Sequence, residues 1–137
     1  MKTVVIFYAL GEQEMRKLYS FALDEEKCIF FVKVDGFFKE EDAKIYLSEF
    51  QTVVNSINPS IFTLIIDGRG QEEVPSDVVD DIIFVLKLYW MANFKTLIII
   101  SPTSPASRIQ VENCVNKINF PGVFVDSVEE AYNLLNK

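Results

Sequence analysis

The residues best suited to chemistry follow an unbroken apolar run. That run, Phe62–Ile66, leads directly into Asp67-Gly68-Arg69-Gly70. A carboxylate can hold a hydroxyl group or a metal ion, a guanidinium can hold an anion, and glycines let the backbone approach a ligand. The same letters also fit a plain strand-to-loop connection, since the third glycine of a dinucleotide site and the Lys-Ser/Thr of a phosphate loop are absent. Both interpretations of Asp67 and Arg69 stay open.

Acidic residues crowd the segment that comes next. They are Glu72, Glu73, Asp77, Asp80 and Asp81. Carboxylate oxygens suit a hard cation, but the spacing differs from that of a calcium loop, and we expect no metal and no cofactor. A solvated rim at a helix start or a docking surface for a basic partner explains them better. We predict that the partner-binding residues are Asp67, Arg69, Glu72, Glu73, Ser76, Asp77 and Asp80.

Nucleophilic and acid–base catalysis find little support in the sequence. There is no histidine, and no serine lies in a Gly-x-Ser-x-Gly turn. Cys28 and Cys114 lie in apolar patterns without nearby cations, which predicts reduced, buried, unreactive thiols. We therefore predict that the protein is not an enzyme, and the reduced thiols suit the cytoplasm.

Composition excludes several classes of partner. The 137 residues carry a net charge of −7, and the 13 basic residues are scattered, so a nucleic-acid partner is not expected. No apolar run reaches the roughly 20 residues that cross a bilayer, and no export signal is evident, so we expect no membrane insertion. The length and apolar content predict a single domain over residues 1–137.

The hydrophobic pattern predicts strands that open as a hairpin and then alternate with helices. The expected strands are Thr3–Ala9, Leu18–Leu23, Cys28–Val34, the Phe62–Ile66 run, Thr96–Ile100 and Val123–Val125. About four helices are expected, and Glu12–Lys17 is a helical turn or a loop. This order predicts an α/β fold in which a mixed sheet has an N-terminal antiparallel hairpin and β-α crossover units.

The four predicted helices differ in how clearly they show one buried face. Lys39–Ile57 has a single apolar stripe, and Ser76 and Asp77 offer capping oxygens to the helix that follows Pro75. That second helix is apolar nearly all round, so either it is buried or its outer face meets another molecule, as in a homodimer. In the third helix Ile109, Cys114 and Ile118 are expected to face the sheet, and Ser127 caps the last one.

Three stretches resemble the STAS domain, the fold named for sulfate transporters and anti-sigma-factor antagonists. They are Phe31-Val-Lys-Val-Asp-Gly36, Leu64-Ile-Ile-Asp67 and Val125-Asp-Ser-Val-Glu-Glu-Ala131. The resemblance runs from about Leu18 to the end, which leaves residues 1–17 as an N-terminal addition.

The resemblance also implies a function. Antagonist-type members are mostly non-catalytic and bind a regulatory protein through the loop after the central strand and the following helix. A serine in an Asp-Ser-Ser-Gly signature there is phosphorylated as a switch. Here the matching letters are Pro75-Ser76-Asp77-Val78, without the glycine, and Ser76 is the candidate phosphorylation site. A small-molecule site for a nucleotide or lipid near Gly68, Arg69 and Ser101 is the alternative function.

Overall fold

Six strands and four α-helices make up the part of the chain that a computed structural model describes, residues 18–136 together with the backbone of Thr3–Ile6. The strands are β1 Thr3–Ile6, β2 Tyr19–Asp24, β3 Ile29–Gly36, β4 Thr63–Gln71, β5 Thr96–Ile100 and β6 Val123–Val125. The helices are α1 Glu40–Val54, α2 Val79–Met91, α3 Pro105–Ile118 and α4 Val128–Leu135. Short 3-10 turns at Pro59–Ile61 and Ser76–Val78 precede β4 and α2. The remainder of the predicted Thr3–Ala9 strand and the Glu12–Lys17 segment lie outside the described residues.

The strands form one mixed sheet whose spatial order is the chain order, β1 to β6. β1, β2 and β3 pair antiparallel, and β3, β4, β5 and β6 pair parallel. Each parallel step contains a helix, because a parallel pair needs a long crossover. The predicted α/β fold with an N-terminal hairpin and crossover helices is therefore confirmed.

The two faces of the sheet carry separate cores. Three crossover helices, α1 to α3, pack on one face, where Phe50, Tyr89 and Cys114 share one hydrophobic core with Phe30 and Leu64 of the sheet. Crossovers of the same hand put their helices on the same face. On the other face Ala131 of α4 packs against a smaller cluster of isoleucines, Ile29, Ile65, Ile98 and Ile100. The central strands are thus covered on both sides, as their continuous apolar letters predicted.

Two details of the predicted core were wrong. Ile109 is 57% exposed, because the buried face of α3 is the i, i+4, i+7 set Ser107, Val111 and Cys114. Cys28 is only half-buried, because it occupies the hairpin turn with a positive φ of 56° and precedes β3. Both cysteines are free thiols, and burial raises the pKa of Cys114.

Candidate functional site at the carboxyl edge of the parallel strands

The predicted end of the central strand at Ile66, with a loop from Asp67, was wrong, since β4 continues through Gln71. Between the pairs Lys33–Asp67 and Asp35–Gly70, β3 advances two residues and β4 advances three, so β4 carries a bulge. The two glycines make this extension possible by close packing. A Cβ at Gly70 would lie 2.0 Å from Asp35 Oδ1, and one at Gly68 would lie 3.2 Å from the Ile100 carbonyl oxygen.

Asp67 and Arg69 form an internal ion pair. Arg69 donates from Nε to Asp67 Oδ1 and from Nη2 to Oδ2, both at 2.9 Å. Burial by itself raises the pKa of Asp67, but the hydrogen bonds and charge of Arg69, helped by Lys33, leave that pKa below its usual range. Because strand residues alternate, Asp67 lies on the same face as Ile65, the α4 face. The pair therefore lies within the bulged stretch of β4, between Asp67 and Gly70.

The connection from β4 to α2 is held down by Gln110 of α3. The Gln110 side chain donates from Nε2 to the Val74 carbonyl at 3.0 Å and accepts from the Val74 amide at 2.9 Å. Val74 itself is buried. The predicted cap was wrong, because neither Ser76 nor Asp77 caps α2; Val78 occupies the N-cap position without a side-chain bond. A 3-10 turn carries Ser76 and Asp77 instead. The backbone hydrogen bond of this turn and the burial of Val74 keep the segment ordered.

Negative charge lies exposed along this ordered connection. The exposed predicted residues are Glu72, Glu73, Ser76, Asp77 and Asp80. Within residues 18–136 the ion pairs of acidic side chains involve Lys44, Arg69 and Arg108, and none of them includes these four carboxylates. A partner with basic groups would therefore find carboxylates that no cation of this region already holds.

A cleft opens beside the acidic connection, between α1, α2 and the sheet. Its volume is about 90 Å³, and it is walled mainly by apolar side chains, among them Val34, Ala43, Ile66, Val78, Val85 and Leu86. Polar side chains enter the wall at three places, namely Gln71, the pair Tyr46 and Tyr89, and Asp81. Tyr46 and Tyr89 join their hydroxyl groups in the buried wall at 2.5 Å, and burial together with the neighbouring ring raises the pKa of Tyr46.

Asp81 is the cleft residue with an unsatisfied polar atom. Its Oδ2 atom is shielded from solvent and has no hydrogen-bond partner. Burial, followed by the charge of Glu40, raises the pKa of Asp81, and Asp80 and Asp77 act in the same direction. Lys44 opposes them, but it also lies 3.9 Å from Glu40. The side chain therefore stands in a negative, partly apolar environment that favours a hydrogen-bond donor.

The structure divides the seven predicted site residues into two groups. Asp67 and Arg69 are paired with each other, whereas the other five line the exposed connection and the start of α2. The cleft includes Gly68 and Pro102, but its walls contain neither Arg69 nor Ser101, which were expected near a ligand. Sequence reasoning missed the Tyr46–Tyr89 pair and the Gln110 clamp, since nothing in the letters shows which buried polar groups meet.

In the described part of the chain, no group of three or more Cys, Asp or Glu side chains is arranged to hold a metal ion. None of the helices described between residues 18 and 136 combines the length and apolarity that a bilayer-spanning segment needs.

Comparison with known proteins identifies the class of fold. No family model matches the chain, and no curated protein is similar to it in sequence. Among solved structures, an uncharacterized protein of the DUF3478 family from Shewanella loihica PV-4 is similar, and it is described as having a SpoIIAA-like fold. The likeness covers 97% of this chain and 93% of that chain, with a TM-score of 0.56 and 15% identity. The chain thus has a SpoIIAA-like, STAS-like fold, as its sequence predicted.

Proposed function

We propose that this chain is a non-catalytic regulatory module of the cytoplasm that binds another protein through the β4–α2 connection and the start of α2. One observation carries the proposal. Glu72, Glu73, Asp77 and Asp80 are exposed and unpaired within residues 18–136, on a backbone that Gln110 holds in place. Fixed like charges cost folding free energy through repulsion, and a basic partner turns that cost into attraction.

Rigid presentation supports recognition of a protein rather than catalysis. The connection is anchored by the buried Val74 at one point and by the buried Val78 at the next. A preordered surface loses little conformational entropy on binding. The sequence has no histidine, and Asp67 is already neutralised by Arg69, so neither offers a general base at this edge.

Ser76 offers a position at which such a contact would be regulated. It is exposed, one residue before Asp77 on the 3-10 turn. A phosphate there adds about −1.5 to −2 charges to an acidic surface. We expect Ser76→Glu to strengthen binding of a basic partner, and weaker binding of this variant would contradict the basic character of the partner.

Affinity capture with charge-reversed baits tests the proposed surface. The native cell lysate is applied to wild-type protein and to Asp77→Lys/Asp80→Lys, and the recovered proteins and any phosphate on Ser76 are read by mass spectrometry. Glu25→Lys/Glu26→Lys is the matched control, because it makes the same charge change in the exposed hairpin turn at the opposite end of β3. A protein lost only from the first variant supports the proposal. Identical recovery with all three baits rejects it.

Binding of a small molecule is the second candidate function, and the apolar cleft is the observation that favours it. A volume of about 90 Å³ is well below the 300–1,000 Å³ of pockets that enclose a drug-sized ligand, so a whole nucleotide does not fit. A small apolar compound remains compatible with the walls. Native mass spectrometry of purified protein would reveal it as an added mass that Ala43→Leu removes.

A further inference from the structure

The cleft and the acidic connection adjoin each other, and together they describe a binding partner. Val78 and Asp81 line the cleft, while Asp77 and Asp80 lie on the same turn and helix start. A chain that binds Asp77 and Asp80 is therefore within reach of the mouth of the cleft, where Ile82 and Val85 keep partial exposure.

The size of the cleft matches one side chain. About 90 Å³ admits a group of several non-hydrogen atoms, but not a whole cofactor. Protein interfaces commonly concentrate their affinity in one apolar anchor that fills such a pocket, while the surrounding contacts exclude water. An aliphatic or aromatic side chain from a partner fits both the volume and the apolar wall.

The charge around the mouth specifies what accompanies that side chain. Three carboxylates, those of Glu40, Asp80 and Asp77, act on Asp81, against one ammonium group, that of Lys44. In addition, Asp81 Oδ2 is buried without a hydrogen-bond partner. An arginine or lysine next to the anchor would donate to that oxygen and offset the excess negative charge.

We propose that the cleft receives an apolar anchor side chain from a basic, amphipathic segment of a partner protein, and that Asp81 binds the cationic side chain beside it. This inference rests on the proposed function, and it names the chemistry of the partner. The exposed carboxylates attract the segment, and the apolar wall holds its anchor. Asp81, by binding the neighbouring cationic side chain, fixes the position of the segment along the cleft.

Synthetic peptides test the inference directly. The probe is a fluorescently labelled helical peptide with leucines on one face and arginines on the other, titrated by anisotropy against the full chain. One control peptide replaces leucine by serine, and another replaces arginine by glutamate. Ala43→Leu and Ile82→Phe fill the cleft, Asp81→Asn removes the charge without changing shape, and Glu25→Gln is the matched control. Circular dichroism verifies that each variant is folded. If one filling variant does not fold, the other one tests the cleft in its place.

The inference predicts a defined pattern of affinities. The leucine–arginine peptide binds saturably, each filling variant weakens it about tenfold or more, Asp81→Asn weakens it several-fold, and Glu25→Gln leaves it unchanged. The inference is overturned if that peptide shows no saturable binding, if the serine peptide binds equally well, or if folded filling variants bind as the wild type does. If Asp77→Lys/Asp80→Lys abolishes binding while the filling variants do not, the proposed surface stands and the anchored cleft is rejected. Loss of binding in none of these variants rejects both.

Discussion

The hydroxyl groups of Tyr46 and Tyr89 lie 2.5 Å apart inside the core, where they link α1 to α2 in the wall of the cleft. One hydroxyl donates to the other, although both rings are surrounded by aromatic and aliphatic side chains. We expect Tyr46→Phe or Tyr89→Phe alone to lower the free energy of unfolding by about 1–3 kcal/mol, because the remaining hydroxyl is left buried without its partner. The double variant should lose less than the sum of the two. Urea unfolding of all four proteins checks this, and strict additivity would contradict it.

The same pair gives the protein a specific sensitivity to alkali. Burial is the largest cause that raises the pKa of both tyrosines in the folded state. A group whose folded pKa is raised contributes stability below its unfolded pKa, about 10 for tyrosine, and loses it as the pH rises further. We expect the stability of the wild type to decline above about pH 10 and that of Tyr46→Phe/Tyr89→Phe to decline less steeply. Equal slopes would show that other groups dominate, since all other tyrosines are common to both proteins.

The Asp67–Arg69 pair predicts an acid dependence of the opposite sign. The folded pKa of Asp67 is lowered, so its stabilisation is present above the unfolded pKa of about 3.9 and is lost as the pH falls. We expect Arg69→Ala to cost about 1–3 kcal/mol at pH 7, less than for a fully buried pair, because the guanidinium side chain is 44% exposed.

A second arginine provides the comparison for that experiment. Arg108 pairs with Glu112 and Asp126, and all three side chains are substantially exposed, so Arg108→Ala should cost no more than about 1 kcal/mol. Denaturant unfolding between pH 3 and pH 7 measures both variants. If the two substitutions have equal effects, the Asp67–Arg69 pair does not have the structural role described here.

The Gln110 clamp should determine how firmly the acidic connection is held. Gln110→Ala removes both hydrogen bonds to Val74, whose backbone is buried, so we expect a loss of about 1–2 kcal/mol. Amide exchange at Val74 should accelerate markedly even where global unfolding is slow. Asn113→Ala, on the exposed side of the same helix, is the control. Unchanged protection at Val74 would mean that Val74 packing alone orders the segment.

Self-association is expected through α2. Phe84 and Met91 are 54% and 72% exposed and lie two turns apart on the same side of the helix. We expect sedimentation equilibrium to show a dimer that Phe84→Ser/Met91→Ser dissociates, and Ile61→Ser, at an exposed residue outside α2, to leave it intact. A wild-type protein that stays monomeric at all concentrations would reject this expectation.

Local sequence signals were sufficient to predict an element or a cap where the residue types strongly favour one local structure. Thr96–Ile100 reads as a buried strand and is β5, and the Ser127 hydroxyl caps α4 by accepting from the Glu130 amide. In α1, Ala43, Phe50 and Val54 are buried as their spacing predicted. These features depend on residues that are close to each other in the sequence, so the sequence pattern predicts them directly.

Long-range pairing explains the parts that the letters did not show. Gly68 and Gly70 normally end a strand, yet here they belong to β4, because β3 supplies partners as far as Gly36 and the missing side chains leave room for Asp35 and Ile100. The acidic segment is visible in the sequence as closely spaced carboxylates. Its proximity to Tyr46 and Glu40 depends on how α1 and α2 pack, and no spacing within either helix reports that distance.

The sequential strand order has a consequence for the newly synthesised chain. Each strand from β2 onward joins the edge left by the strand before it, so the sheet can assemble vectorially as the chain leaves the ribosome. The isoleucines Ile65, Ile98 and Ile100 acquire their cover from Ala131 only after α4 has been made, because α4 follows all six strands in the chain. Until α4 is made, the isoleucine face of the sheet is an exposed apolar surface on the nascent chain. We expect a chaperone to be needed at this face for longer than at the face that α1 to α3 cover.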